Sequence, residues 1–220
     1  MSARDADRLR RGGSRRIGSM VLGLSLAFIG YAALGETPEA RPDPSAQATA
    51  TFAGGCFWCM EPPFDALDGV LSTTSGYIGG ETSKPSYKQV SAGDSGHAEA
   101  VRVIYDPTKI SYAALLDVYW RNIDPLAVGR QFCDIGDQYR SAIFAHDDEQ
   151  EKLARASREA IASSGKLEGR IVTEIVKGGE FWPAEEYHQD YYQKNPVRYK
   201  FYRYSCGRDR RLAEIWGDAA

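Results

Sequence analysis

The chain has 220 residues, of which 43% are apolar and 26% charged, with a formal net charge of −3. That length and composition fit one globular domain with some extra chain. Six arginines and two aspartates lie within the first 35 residues, so the remainder carries 21 basic against 28 acidic side chains. Such a mildly acidic body gives no footprint for nucleic-acid binding, which needs a clustered basic face.

The extra length sits at the front. "MSARDADRLRRGGSRR" is basic, and "IGSMVLGLSLAFIGYAALG" (17–35) is apolar and uncharged, ending in the small-x-small pattern Ala33-Leu34-Gly35. This is the layout of a bacterial secretory signal, and the apolar run is also just long enough to span a bilayer. Residues 1–35 therefore read as a signal peptide or a membrane anchor. The Pro- and Ala-rich stretch 36–48 reads as a linker. In both cases the folded part, 49–220, is expected outside the cytoplasm, periplasmic or tethered to the outer side of the inner membrane.

"ATATFA" (48–53) alternates as a strand and runs into Gly54-Gly55, after which "CFWCMEPPFDAL" can begin a helix. "GVLSTTSGYIGG" predicts a second strand, "SKPSYKQVSAGDSGH" a loop with one helical turn, and "AEAVRVIYD" a third strand. "SYAALLDVYWRNI" carries a Ser111 cap and apolar residues at helical spacing. "SAIFAH" is a short strand, an amphipathic helix capped by Asp147 or Asp148 follows, and "RIVTEIVKG" is another strand. "PAEEYHQDYYQKN" predicts a short helix, and the last twenty residues an irregular aromatic tail. The order predicts an α+β two-layer sandwich with a mixed sheet and a ferredoxin-like, split-βαβ core.

Cysteines stand at 56, 59, 133 and 206. Four allow three pairings, and a domain of this size can bury enough core without staples, so their expected use is chemical. Cys56 follows Gly-Gly and precedes a predicted helix, where free backbone N–H groups and the helix dipole favour a thiolate. With Cys59 it also forms a CxxC pair, the spacing of a dithiol centre. A c-type haem would need His where Met60 stands, and zinc would need a second close pair. A nucleophilic thiol and a thiol–disulfide oxidoreductase both remain open on these residues.

"GCFWCMEPPFDALDGV" resembles the signature of the peptide methionine sulfoxide reductases of the A type, which act on the S-epimer of the sulfoxide. The resemblance continues through "SGYIGG", "SYKQV", "GDSGHAEAVRVIYDP", "DQYRSAIF", "FWPAEEYHQDYYQKNP" and "CGRDRRLAEIWG". It implies an α+β fold, Cys56 as nucleophile and electrons from a thioredoxin-like dithiol donor. The substrate would be methionine-S-sulfoxide in peptides, in proteins or free, reduced in the service of protein repair.

The chemistry of a sulfoxide sets what such a site must contain. Sulfoxide sulfur is a poor electrophile until its oxygen is protonated or strongly hydrogen-bonded, so a thiolate, an acid and a grip on the methyl group are needed. Glu99, at the start of a strand, can be buried and kept protonated as the acid. The resemblance gives Tyr87 and Tyr139 as hydroxyls that bond the sulfoxide oxygen. It gives Phe57 and Trp58 as the aromatic pair around the methyl group, and Asp134 and His188 as polar support at the substrate. Attack by Cys56 would leave a sulfenic acid that a second thiol converts to a disulfide. Which thiol resolves stays open among three: Cys206, in a Gly-flanked tail and matching the C-terminal cysteine that similar proteins use, is favoured over Cys59, which a regular helix would point away, and over Cys133, which adjoins Asp134. No metal or cofactor is implied, and a monomer is expected.

Overall fold

The computed structural model of the protein describes residues 47–217. The leader or anchor expected over 1–35, and most of the linker, lie outside the described residues. Among the described residues, no helix is long and apolar enough to cross a membrane.

Strands β1 (Ala48–Gly54), β2 (Val70–Ile78) and β3 (Ala98–Tyr105) alternate with helices α1 (Phe57–Asp65) and α2 (Tyr87–Ser91). Helix α3 (Tyr112–Arg121) leads to a small hairpin of β4 (Arg130–Gln131) and β5 (Asp134–Ile135), then to β6 (Ser141–Ala145). Helix α4 (Asp148–Ser163), β7 (Glu174–Lys177) and β8 (Trp182–Pro183) follow. Helices α5 (Tyr191–Lys194), α6 (Pro196–Ser205) and α7 (Arg208–Trp216) close the order.

The main sheet runs β7-β6-β1-β3-β2-β8. Its centre, β6-β1-β3-β2, is antiparallel throughout. There β1-α1-β2 and β3-α3-β6 interleave, which is the split-βαβ arrangement. Strand β7 adds parallel to β6 and β8 antiparallel to β2, so the sheet is mixed, as expected.

Period-two alternation divides the strands between two faces. Ala50, Phe52, Val101, Val103, Tyr105 and Ile143 join Phe57, Met60 and Phe64 of α1 and Leu115, Leu116 and Tyr119 of α3 in the large core. The opposite face holds a smaller cluster of Ile78, Ala98, Ala100, Ala142 and Phe144, with Phe181 laid against it. Helix α1 survives Pro62 and Pro63 in its interior, which remove two backbone donors, because Phe57, Met60 and Phe64 bury one face of it. Helix α3 starts where the Ser111 hydroxyl accepts from the Ala114 N–H at 3.2 Å. Asp147 does the same for α4, accepting from the Gln150 N–H at 2.7 Å.

Two stretches differ from the sequence reading. The segment 183–195 is no single helix: Pro183 lies in β8, Glu186–His188 form one tight turn, and α5 is a single helical turn. Asp190, at φ +52, sits between the two turns and breaks their continuity. The tail is not irregular either. Pro196 opens α6, Gly207 at φ +69 ends it, and α7 follows at once. Arg208 anchors this corner: it is 1% exposed and donates to the carbonyls of Gly54 at 3.2 Å and Asn122 at 2.6 Å. The aromatic run reads as irregular in sequence because its helical face, Tyr199, Tyr202 and Cys206, is half-buried rather than fully apolar.

Candidate active site

Gly54 and Gly55 carry the chain from β1 into α1. A Cβ on Gly54 would lie 2.6 Å from Ile123 Cγ2, and Gly55 has φ +87 with Gln131 Cβ 2.6 Å from the place of a Cβ. Only glycine fits such a turn. The turn delivers Cys56 as the N-cap of α1, at φ −53 and ψ 120, off the helical path. For that reason the side chains of Cys56 and Cys59 meet and hydrogen-bond, rather than diverging as in a regular helix. Both thiols are free and buried.

Glu99, on β3, is 2% exposed, and its Oε2 accepts the Phe57 N–H at 3.2 Å. Burial raises its pKa from the usual 4.5 to about 8, against the lowering effect of that N–H. A carboxyl so placed holds its proton at neutral pH. Burial also pushes the Cys56 thiol well up, helped by the hydrogen bond it donates to Cys59 and the negative field of Glu99. The same hydrogen bond pulls Cys59 down to about 7 against its burial, and Arg208 and Arg203 assist. Desolvation thus outweighs the helix N-terminus at Cys56, and the two sulfurs titrate as a pair.

The phenols stand around this pair. Tyr87 opens α2, where its backbone N–H donates to Glu185 Oε1 at 2.8 Å. Its pKa rises to about 12 through burial and the fields of Glu99 and Cys56. Tyr139 closes a tight turn, Asp137–Tyr139, and is raised by burial and then by Glu99, Tyr87, Asp134 and Cys56. Both hydroxyls therefore keep their protons and can donate them as hydrogen bonds.

The aromatic pair divides its work. Phe57 is 1% exposed, its ring packed beside Tyr77 and His188 at 6.1 and 5.0 Å between centroids. It underlies the site rather than lining an open pocket. Trp58 is partly exposed; it stacks on Tyr191 at 3.7 Å and meets Tyr202 edge-on at 5.8 Å. His188 is buried between these rings, with Tyr87 at 4.4 Å. Asp134 accepts the Tyr202 hydroxyl at 2.5 Å, and burial raises its pKa.

Cys206 stands apart from the sequence reading: it is bonded to Cys133, with Cα atoms 5.0 Å apart. The thiol that touches Cys56 is Cys59. Three contributors were missed by sequence reasoning. Tyr202, whose hydroxyl bonds Asp134 and reaches Cys56, stands four residues before Cys206, a helical spacing that would have placed both on one face. Glu185, which also accepts the Tyr77 hydroxyl at 2.8 Å, and Tyr191 carry no comparable signal.

The family model described as "Peptide methionine sulfoxide reductase" matches residues 48–220. A peptide methionine sulfoxide reductase MsrA of Bacillus licheniformis is 50% identical over 168 residues, covering 76% of this chain and 93% of its own. The MsrA of Bacillus subtilis is 48% identical, covering 76% and 95%. Among solved structures, Mxr1 of Saccharomyces cerevisiae in reduced form superposes with a TM-score of 0.64 at 39% identity, covering 70% of this chain and 89% of that one. Methionine sulfoxide reductase A of Corynebacterium diphtheriae gives a TM-score of 0.63 at 34% identity, covering 76% and 82%.

Proposed function

Since this chain belongs to the peptide methionine sulfoxide reductases of the A type and reduces methionine-S-sulfoxide by thiol chemistry, we propose that Cys56 is its nucleophile and Glu99 its acid. Cys56 attacks the sulfoxide sulfur while Glu99 gives its proton to the oxygen. Tyr87 and Tyr139 hold that oxygen by hydrogen bonds that strengthen as negative charge builds on it. Trp58 meets the methyl group, with Phe57, His188 and Asp134 fixing the surrounding surface. The hydroxyl then passes from the methionine sulfur to Cys56 Sγ as the transient bond between the two sulfurs breaks, so methionine leaves and Cys56 is a sulfenic acid. Cys59 condenses with it, water departs, and the disulfide equivalent passes to an external dithiol of the thioredoxin type.

The observation that carries these roles is the buried, proton-holding Glu99 against the N-cap turn that presents Cys56. The test uses the chain with Cys59, Cys133 and Cys206 all replaced by serine. One equivalent of N-acetylmethionine-S-sulfoxide should give one equivalent of the thioether and a dimedone-reactive sulfur on Cys56. No thioether would overturn the assignment.

The enzyme acts as an exported monomer, periplasmic or tethered to the outer side of the inner membrane. Support for export comes from the basic start and the uncharged stretch 17–35. Mature protein from its host should begin near Glu36 or remain membrane-bound at full length; an intact chain soluble in the cytosol would refute export.

A further inference from the structure

Cys133 and Cys206 stand 73 residues apart, a spacing that announces no metal site, yet the fold joins them in a disulfide. Asp134 lies beside both. Its Oδ1 is 3.7 Å from Cys133 Sγ, and its Oδ2 is 3.9 Å from Cys206 Sγ. One donor atom from each of the three residues falls within 4.8 Å of the other two. Among the described residues, no other group of three or more cysteine, histidine or carboxylate side chains gathers its donor atoms so closely.

These separations suit a tetrahedral cation. With zinc about 2.3 Å from sulfur and about 2.0 Å from a carboxylate oxygen, the sulfur–oxygen edge of the tetrahedron is about 3.5 Å and the sulfur–sulfur edge about 3.8 Å. Cys133 sits in the turn between β4 and β5, and Cys206 caps the end of α6, so freed sulfurs can part without breaking either element. Two contacts support the donors. The Tyr202 hydroxyl donates to Asp134 Oδ2, and the Cys133 N–H donates to Cys206 Sγ at 3.2 Å. Bonds of this kind orient a carboxylate ligand and favour negative charge on a ligand sulfur. Cys133 is exposed, so the fourth position opens to water. Two sulfurs among three donors select a zinc-class ion over calcium or magnesium.

We propose that Cys133, Asp134 and Cys206 bind a zinc-class divalent cation whenever their disulfide is reduced. A dithiol that reduces Cys133–Cys206 gives up two electrons and two protons and becomes a disulfide itself. The two thiols so formed release those protons as the cation binds, leaving two thiolates and one carboxylate around it. Disulfide and cation are therefore alternatives at one place. The covalent bond fastens the β4–β5 hairpin to the end of α6 in the oxidised protein, and the cation fastens it in the reduced one. Either link closes the same long loop and so restricts the unfolded chain. The buried pair Cys56 and Cys59 takes no part, so the proposal is independent of which sulfur attacks the sulfoxide.

Cobalt(II) is the probe, because thiolate ligands give it a sulfur-to-metal charge-transfer band and a tetrahedral site gives it intense visible bands. Full-length protein is reduced with a phosphine, desalted anaerobically and titrated with cobalt, then with zinc. Reduced wild type should bind one cobalt with both features, and zinc should displace it. Oxidised wild type should show neither feature. Cys59→Ser, when reduced, should match wild type. Tyr202→Phe should bind about 10- to 100-fold more weakly, the usual effect of losing a bond to a ligand, and Cys133→Ser more weakly still. No charge-transfer band in reduced wild type would overturn the proposal. A band unchanged in Cys133→Ser, or lost in Cys59→Ser, would also overturn it by placing the cation on the buried pair. Should Cys133→Ser fail to fold, alkylation of reduced wild type decides: zinc should protect Cys133 and Cys206 from iodoacetamide, and equal labelling with and without zinc contradicts the site.

Discussion

The indole N–H of Trp58 donates to Nδ1 of His188 at 3.0 Å, tying the helix of Cys56 to a segment 130 residues further on. Burial lowers the His188 pKa, so at neutral pH the ring is neutral and Nδ1 is free to accept. His188→Ala should release the indole and cost the equivalent of one buried hydrogen bond, about 1–3 kcal/mol. That is roughly a 5- to 150-fold loss in kcat/KM, carried mainly by KM. Steady-state kinetics on methionine-S-sulfoxide check it, and an unchanged KM would show that the indole needs no tether.

Glu99→Gln should slow the chemical step by about 10²- to 10⁴-fold, the usual range for a lost general acid, with little effect on substrate affinity. In wild type the acid form disappears as pH rises through about 8, so single-turnover rates should fall above that pH. A rate independent of Glu99 in single turnover would make it a bystander.

The same residue has a stability signature of definite sign. Its folded pKa, about 8, exceeds the usual 4.5, so its favourable contribution is complete below 4.5 and lost as pH rises through 8. Glu99→Gln removes this loss. The melting temperature of the variant relative to wild type should therefore be higher at pH 9 than at pH 5, and a flat difference would contradict the assigned pKa.

Much of this fold was legible because its strands alternate and its helices carry caps that sequence alone reveals, as at Ser111 and Asp147. The split-βαβ order follows from those elements in succession. What escaped depends on contacts between distant segments. The corner at Gly207 is held by Arg208 through carbonyls of Gly54 and Asn122, and nothing near residue 208 in sequence announces them. Glu99 could be named as an acid from its motif, but its burial is a property of the sheet. The contact of Cys59 with Cys56 turned on one backbone angle at the N-cap, which a regular-helix assumption misplaces.

Tyr87→Phe and Tyr139→Phe remove hydroxyls assigned to the sulfoxide oxygen. Each should lower kcat by about 10²-fold, as loss of one oxyanion donor does, while KM changes little. Rapid-quench measurement of the first turnover isolates the effect. If both single variants reduce the first equivalent at the wild-type rate, the oxygen is held elsewhere.

Arg208 links strand end, active-site helix and tail, and its guanidinium lies 4.4 Å from the Phe132 ring centroid. Arg208→Met should destabilise the domain by about 1.5–3 kcal/mol, the range for hydrogen bonds to a charged group. Arg210→Ala, at a side chain 83% exposed, should change stability by less than about 0.5 kcal/mol. Urea unfolding of the two variants makes the comparison, and equal midpoints would remove Arg208 from its anchoring role.

The account stands on Cys56 as the attacking sulfur, and turnover of both methionine sulfoxide epimers by Cys56→Ser tests that most directly. A serine hydroxyl is not ionised at neutral pH, so the variant should keep a native circular dichroism spectrum and reduce neither epimer above about one hundredth of the wild-type rate on the S-epimer. Reduction of the S-epimer near the wild-type rate by a folded Cys56→Ser protein would contradict it.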